Sequence, residues 1–114
     1  MKRLSCTLAL ALLGAFATHA AEPSRKPFEA HLEPGQSHEE CEHLEAGDVR
    51  RWHWKADAAA DFNIHFHEAD KVRFAVKRSA MRGDGGTFTA KSAQDYCWMW
   101  TAKAARVKVT GAID

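Results

Sequence analysis

The chain has 114 residues and a formal net charge of +1. That length leaves room for one small domain with a limited core, which excludes a multidomain assembly. The near-balanced charge gives no electrostatic reason to expect a nucleic-acid partner.

The first residues stand apart from the rest. Lys2 and Arg3 precede the apolar run "LSCTLALALLGAFA", and Thr18 and Ala20 put small residues where a signal peptidase reads. This predicts a secretory signal peptide over 1–20, cleaved after Ala20. The run is short for a membrane anchor and has no stop-transfer flank. Cys6 lies before the cleavage site, whereas a lipidated cysteine would follow it. Losing Lys2 and Arg3 leaves 14 basic against 15 acidic side chains. No later segment is apolar enough to span a membrane, so a soluble, periplasmic or secreted product is expected.

Residues 21–27, "AEPSRKP", read as a flexible leader because two prolines and mixed charge oppose regular structure. From Phe28 the pattern alternates with period two. "FEAHL" and "HEECEHL" are weak strand candidates. "VRRWHWKA" places Trp52 and Trp54 on one parity and Arg51, His53 and Lys55 on the other. "DFNIHFHE" does the same with Phe62, Ile64 and Phe66, and "KVRFAVKR" with Val72, Phe74 and Val76. "GTFTA" is weaker. "QDYCWMWT" is apolar on both parities, as in a central strand, and "RVKVTGAI" closes the series with Val107, Val109 and Ile113. "EPGQS", "EAGD", "DAAAD", "EADK" and "RGDGG" read as the turns between them. The expected fold class is all-β: a small antiparallel β-sandwich of about eight strands over 28–114.

Two cysteines remain after cleavage, Cys41 and Cys97. Export to an oxidising compartment and an even count favour a disulfide, with two free metal-binding thiols as the alternative. Alternation predicts one core of Trp52, Trp54, Phe62, Ile64, Phe66, Val72, Phe74, Val76, Trp98 and Trp100. The rival reading of the tryptophans is an exposed platform for a glycan or peptide.

The order of three pieces, "ECEHLEAGDVRRWHW", "DFNIHFHE" and "GTFTAKSAQDYCWMWTAKAARVKVTGAI", resembles the GOLD domain. That is the lumenal β-sandwich of secretory-pathway cargo receptors and of bacterial exported relatives. The resemblance implies a jelly-roll sandwich in which Cys41 and Cys97 join strands. Ala102 stands where that family often has asparagine. The cargo receptors' coiled coil and membrane helix have no counterpart up to Asp114, so the resemblance implies the fold and not vesicle transport.

"NIHFHEAD" raises a metal reading. With Phe62, Ile64 and Phe66 inward, Asn63, His65 and His67 are expected outward. His65 and His67 then stand about 6.5–7 Å apart on one face. His53 joins them if 49–55 and 61–67 form a hairpin, and cannot if they lie in opposite sheets. Glu68 is a further oxygen donor and His43 a lesser candidate. Such an imidazole-rich set suits copper or zinc. The plain alternative is the wet face of a strand. Met99 beside Cys97 reads as gap-filling, or as a soft copper ligand if the cysteines are reduced.

No nucleophile elbow, HExxH motif, paired-carboxylate signature or phosphate loop is present. "RGD" at 82–84 reads as part of a turn. The sequence therefore points to an exported, non-catalytic binding module with a protein, peptide or glycan partner. Its alternative is a periplasmic copper- or zinc-binding protein using His53, His65, His67 and Glu68.

Overall fold

The computed structural model describes residues 26–114 together with Gly14. The predicted signal peptide and residues 21–25 of the leader lie outside the described residues. Six antiparallel strands follow in chain order: β1 (Lys26–Leu32), β2 (Ser37–Leu44), β3 (Val49–Glu68), β4 (Lys71–Thr89), β5 (Gln94–Ala102) and β6 (Val107–Ile113). β1 starts two residues ahead of the expected boundary, because Lys26 and Pro27 pair with Ile113 and Ala112.

Six strands replace the expected eight because two pairs of segments are continuous. "VRRWHWKA" and "DFNIHFHE" are the two halves of β3, and "KVRFAVKR" and "GTFTA" are halves of β4. "DAAAD" and "RGDGG" are therefore not turns. They lie inside strands that pass from one layer of the sandwich to the other. The register breaks at this corner: Lys55 faces Gly83, but the next partners are Ala60 and Met81. Asp61 Oδ1 accepts the Ala80 N–H at 2.9 Å and holds Ala80 at φ 51°. "EPGQS" and "EAGD" do form turns, with Gly35 at φ 80° and Gly47 at φ 91°, where a side chain would be strained.

The result is one six-stranded sheet, ordered β1-β6-β3-β5-β2 with β4 beside β3, curled over on itself. The first half of β3 pairs with β6 through Trp52–Ala56, and the second half pairs with β5 through Ala60–His65. The halves face each other across the core, where the Phe62 ring lies 4.7 Å from Trp52 and 5.6 Å from Trp54. Phe28 meets Trp100 at 4.3 Å, and Phe88 meets Tyr96 at 4.9 Å. Gly86 leaves room for this packing: a Cβ there would stand 3.0 Å from the Trp52 indole. The four tryptophans are core residues, as expected. Their buried Nε1–H groups find no hydrogen-bond partner among the described residues, so they serve by volume rather than by polar contact.

Two members of the predicted core are corrected. Val72 and Phe74 are 46% and 48% exposed. Ile64 faces Val76, but His65 faces Phe74, so Ala75 is an extra residue in β4. One inserted residue exchanges the faces of everything beyond it. Val76 therefore stays with the core, whereas Phe74 and Val72 join the outer face. Phe66 and Val76 are only partly buried against the core.

The open side of the sandwich is spanned by a bidentate ion pair. Glu42 of β2 accepts hydrogen bonds from Arg50 of β3, from Nη2 at 2.6 Å and Nε at 3.0 Å. The guanidinium holds the Glu42 carboxyl below the usual carboxylate range. This contribution to stability is complete above the unfolded carboxyl value of about 4.3 and is lost as pH falls through the lowered folded value. Glu42→Gln is expected to flatten the acid limb of a melting-temperature profile. An acid limb parallel to that of the wild type would show that the pair contributes nothing.

Candidate functional site

The second half of β3 lies between β4 and β5, so both of its edges are paired within the sheet. Its outer face shares rows with its neighbours. Asn63 stands beside Lys77 and Met99, whereas His65 stands between Phe74 and Cys97, with Cys41 of β2 beyond. Asn63 and His65 were expected to face water. They are 8% and 4% exposed, because this strand is central and large side chains flank it. The His65 ring lies 5.4 Å from His67, edge-on, and 6.2 Å from Phe74. Its Nδ1–H donates to Asn63 Oδ1 at 2.7 Å, and its Nε2 faces Glu39 Oε1 at 3.6 Å. Burial pulls the imidazole below the ordinary histidine value, with Glu39 opposing that shift.

The predicted ligands are only partly brought together. His65 and His67 share the face, as the spacing implied. His53 does not join them: it pairs with Gly85 and Ala112, twelve residues back along the same strand and in the other layer. No 49–55/61–67 hairpin exists, because both segments belong to β3. Glu68 is exposed and lies 3.8 Å from Arg73. His43 is engaged by Asp95 at 2.8 Å and Glu45 at 3.0 Å, which hold it above the ordinary histidine value.

The residues that do converge on His65 are Glu39 and Cys97. Ligand atoms of the three lie within 4.8 Å of one another. The sequence held a signal for Glu39, which is two residues before Cys41 and therefore on its face. Cys97 is bonded to Cys41, directly opposite in the β2–β5 ladder, with Cα atoms 4.1 Å apart. The disulfide is present, and it joins neighbouring strands of one layer.

A second feature lies where β4 forms the edge of both layers. A cleft of about 490 Å³ opens there, lined by Phe66, Phe74, Val76, Phe88, Lys91 and Tyr96 among others. The Tyr96 hydroxyl donates to the Ser92 carbonyl at 2.8 Å, which fixes one wall. Sequence reasoning missed this cleft because it depends on the Ala75 bulge and on β4 crossing between layers. The same strand carries Lys71, Arg73, Lys77 and Arg78, of which Arg73 and Arg78 pair with Glu68 and Asp84. Lys77 Nζ sits 4.6 Å over the Phe74 ring. Lys71 and Lys91 make no ion pair among the described residues.

No family model matches the sequence, and a search of curated proteins finds no relative. Solved structures do show likeness. The pre-peptidase C-terminal domain of a collagenase from Bacillus anthracis is similar over 79% of this chain and 89% of its own, with 11% identity and a TM-score of 0.61. At that identity the likeness shows the fold alone, a small β-domain. A periplasmic inhibitor of g-type lysozyme from Aeromonas hydrophila overlaps 79% of this chain and 86% of its own, with 10% identity and a TM-score of 0.48. A likeness that distant adds nothing to the argument. The likeness to the collagenase domain does not show GOLD membership.

Proposed function

We propose that the chain is an exported, non-catalytic binding module with a GOLD-like sandwich, periplasmic or secreted, that holds an extended acidic segment of a partner protein along β4. The carrying observation is the aromatic cleft between the two halves of β4. Its volume falls within the range of sites that take a side chain or small group. Val72 and Phe74 extend its apolar surface into water at nearly half exposure. Exposed large apolar groups side by side at an edge mark an interaction surface. Lys91 in the cleft lining, with Lys71 and Lys77 on β4, favours acidic partners over basic ones, whereas Arg73 and Arg78 are taken up by Glu68 and Asp84. The bulge at Ala75 interrupts the free edge, so side chains rather than an added strand make the contact.

The test uses a labelled peptide alternating Glu with Leu or Phe, read by fluorescence anisotropy and by NMR shift mapping. Shifts are expected at Phe66, Phe88 and Tyr96, with binding that weakens as salt rises. Phe74→Ser is expected to weaken binding at least tenfold, about 1.4 kcal/mol. Equal binding of a Lys–Leu peptide, or shifts confined to another face, would overturn the reading.

A further inference from the structure

On the outer face beside the disulfide, two acceptors face each other. With Nδ1–H of His65 given to Asn63 Oδ1 at 2.7 Å, the neutral imidazole turns the lone pair of Nε2 toward the Glu39 carboxylate at 3.6 Å. No donor among the described residues stands between them. Two ligand atoms each about 2.0 Å from a tetrahedral zinc are separated by about 3.3 Å, so the pair already has nearly the span that a cation closes. The third corner is Cys97 Sγ, within 4.8 Å of both. The fourth is Cys41 Sγ, bonded to Cys97 and 3.8 Å from Glu39 Oε2. The Asn63 contact is the kind of outer hydrogen bond that fixes a metal-binding imidazole.

The geometry points to a zinc site made of Glu39, His65, Cys97 and Cys41 that is closed while the disulfide is intact and opened by its reduction. A disulfide sulfur is a poor ligand, whereas a thiolate is a strong one for Zn(II). The reductant is an external dithiol. One of its thiolates attacks Cys41 Sγ, which belongs to the exposed partner of the pair, and Cys97 leaves as thiolate. The second thiol of the reductant then displaces Cys41 and departs as a cyclic disulfide, so two electrons and two protons pass to the chain. Zinc binding releases those protons and leaves the two thiolates, the imidazole and the carboxylate around the ion. This inference does not rest on the peptide reading: Phe74 neighbours both places, but Glu39, Cys41, His65 and Cys97 do not line the cleft.

The test titrates Co(II), then Zn(II), into the oxidised protein and into protein reduced with a phosphine that is then removed. The phosphorus attacks one sulfur and expels the other as thiolate; water then cleaves the phosphorus–sulfur bond, its oxygen leaving in the phosphine oxide and its two protons going to the two thiols. Reduced protein is expected to bind one Co(II) with thiolate-to-cobalt absorption in tetrahedral form, displaced by Zn(II), and the oxidised protein to show none. His65→Ala should remove the tetrahedral spectrum, and Asn63→Ala should weaken binding about 10–100-fold without removing it. Cys41→Ser, which frees Cys97 without any reductant, should bind Co(II) through one thiolate. If the reduced chain unfolds, recovery of its circular dichroism on adding Zn(II) supports the site, and failure to recover overturns it. Equal metal binding by both redox forms, or by the wild type and His65→Ala, overturns it as well.

Discussion

Replacing Phe62 by alanine is expected to lower the unfolding free energy by about 3–5 kcal/mol. The side chain is fully buried and stands at the centre of the sandwich. Its ring touches Trp52 at 4.7 Å and Trp54 at 5.6 Å in the facing layer, and Trp100 at 5.4 Å on the neighbouring strand. Three indoles cannot all move into the space, because each is held by its own strand ladder, so a cavity remains. A domain of this size has about 4–13 kcal/mol of stability in total, and the variant is left near its folding threshold. Phe62→Leu keeps most of the volume and should cost about 1.5 kcal/mol or less. Phe74→Ala is the contrasting case: its ring is half exposed, and the expected loss is below about 1 kcal/mol. Denaturant unfolding of the three variants gives the order. A loss below about 1 kcal/mol for Phe62→Ala would mean that the two halves of β3 do not pack on each other.

That contrast between two phenylalanines marks the limit of what alternation reveals. The parity of Trp52, Trp54, Phe62, Ile64, Trp98 and Trp100 was legible because each side chain follows the two-residue period of an uninterrupted strand. Phe74 obeys the same pattern in the sequence and lands on the opposite face. A bulge leaves no composition signal when the extra residue is an alanine flanked by alternating apolar groups. The turns show the same limit. "EAGD" carries a glycine at positive φ and does turn the chain. "RGDGG" carries three glycines, none of them at positive φ, and continues a strand in which Gly86 lies against the Trp52 indole while Gly83 and Gly85 come close to the Trp54 and Trp52 carbonyls. Glycine marks close approach as well as reversal, and only the partner decides which. The site was legible in part for a similar reason. His65 and His67 share a face by local spacing. Glu39 and Cys97 reach His65 only through the β2–β5–β3 register, which no local pattern encodes.

Removing the disulfide is expected to cost about as much as removing Phe62, by a different route. Cys41 and Cys97 are separated by 56 positions, and closing a loop of that length restricts the unfolded chain by about 4 kcal/mol in the entropic description. Cys41→Ala with Cys97→Ala should therefore lower the midpoint and, because the unfolded chain is then free to expand, raise the denaturant slope. Phe62→Ala should lower the midpoint at an unchanged slope, which separates a folded-state cavity from an unfolded-state constraint. The native contacts predict where the double variant loosens first. β2 has strand pairing with β5 alone; its further contacts are side-chain ones, among them Glu42–Arg50, His43–Asp95, Ser37–Thr101 and buried Leu44. Amide exchange in 37–44 should thus accelerate more than in 62–65, which is paired on both sides. Uniform acceleration at an unchanged slope would refute the loop-closure account. Selective opening of β2 with a global loss well under 4 kcal/mol would instead make the bond a local clip on an edge strand, releasing both thiols beside His65 at little cost to the rest of the fold.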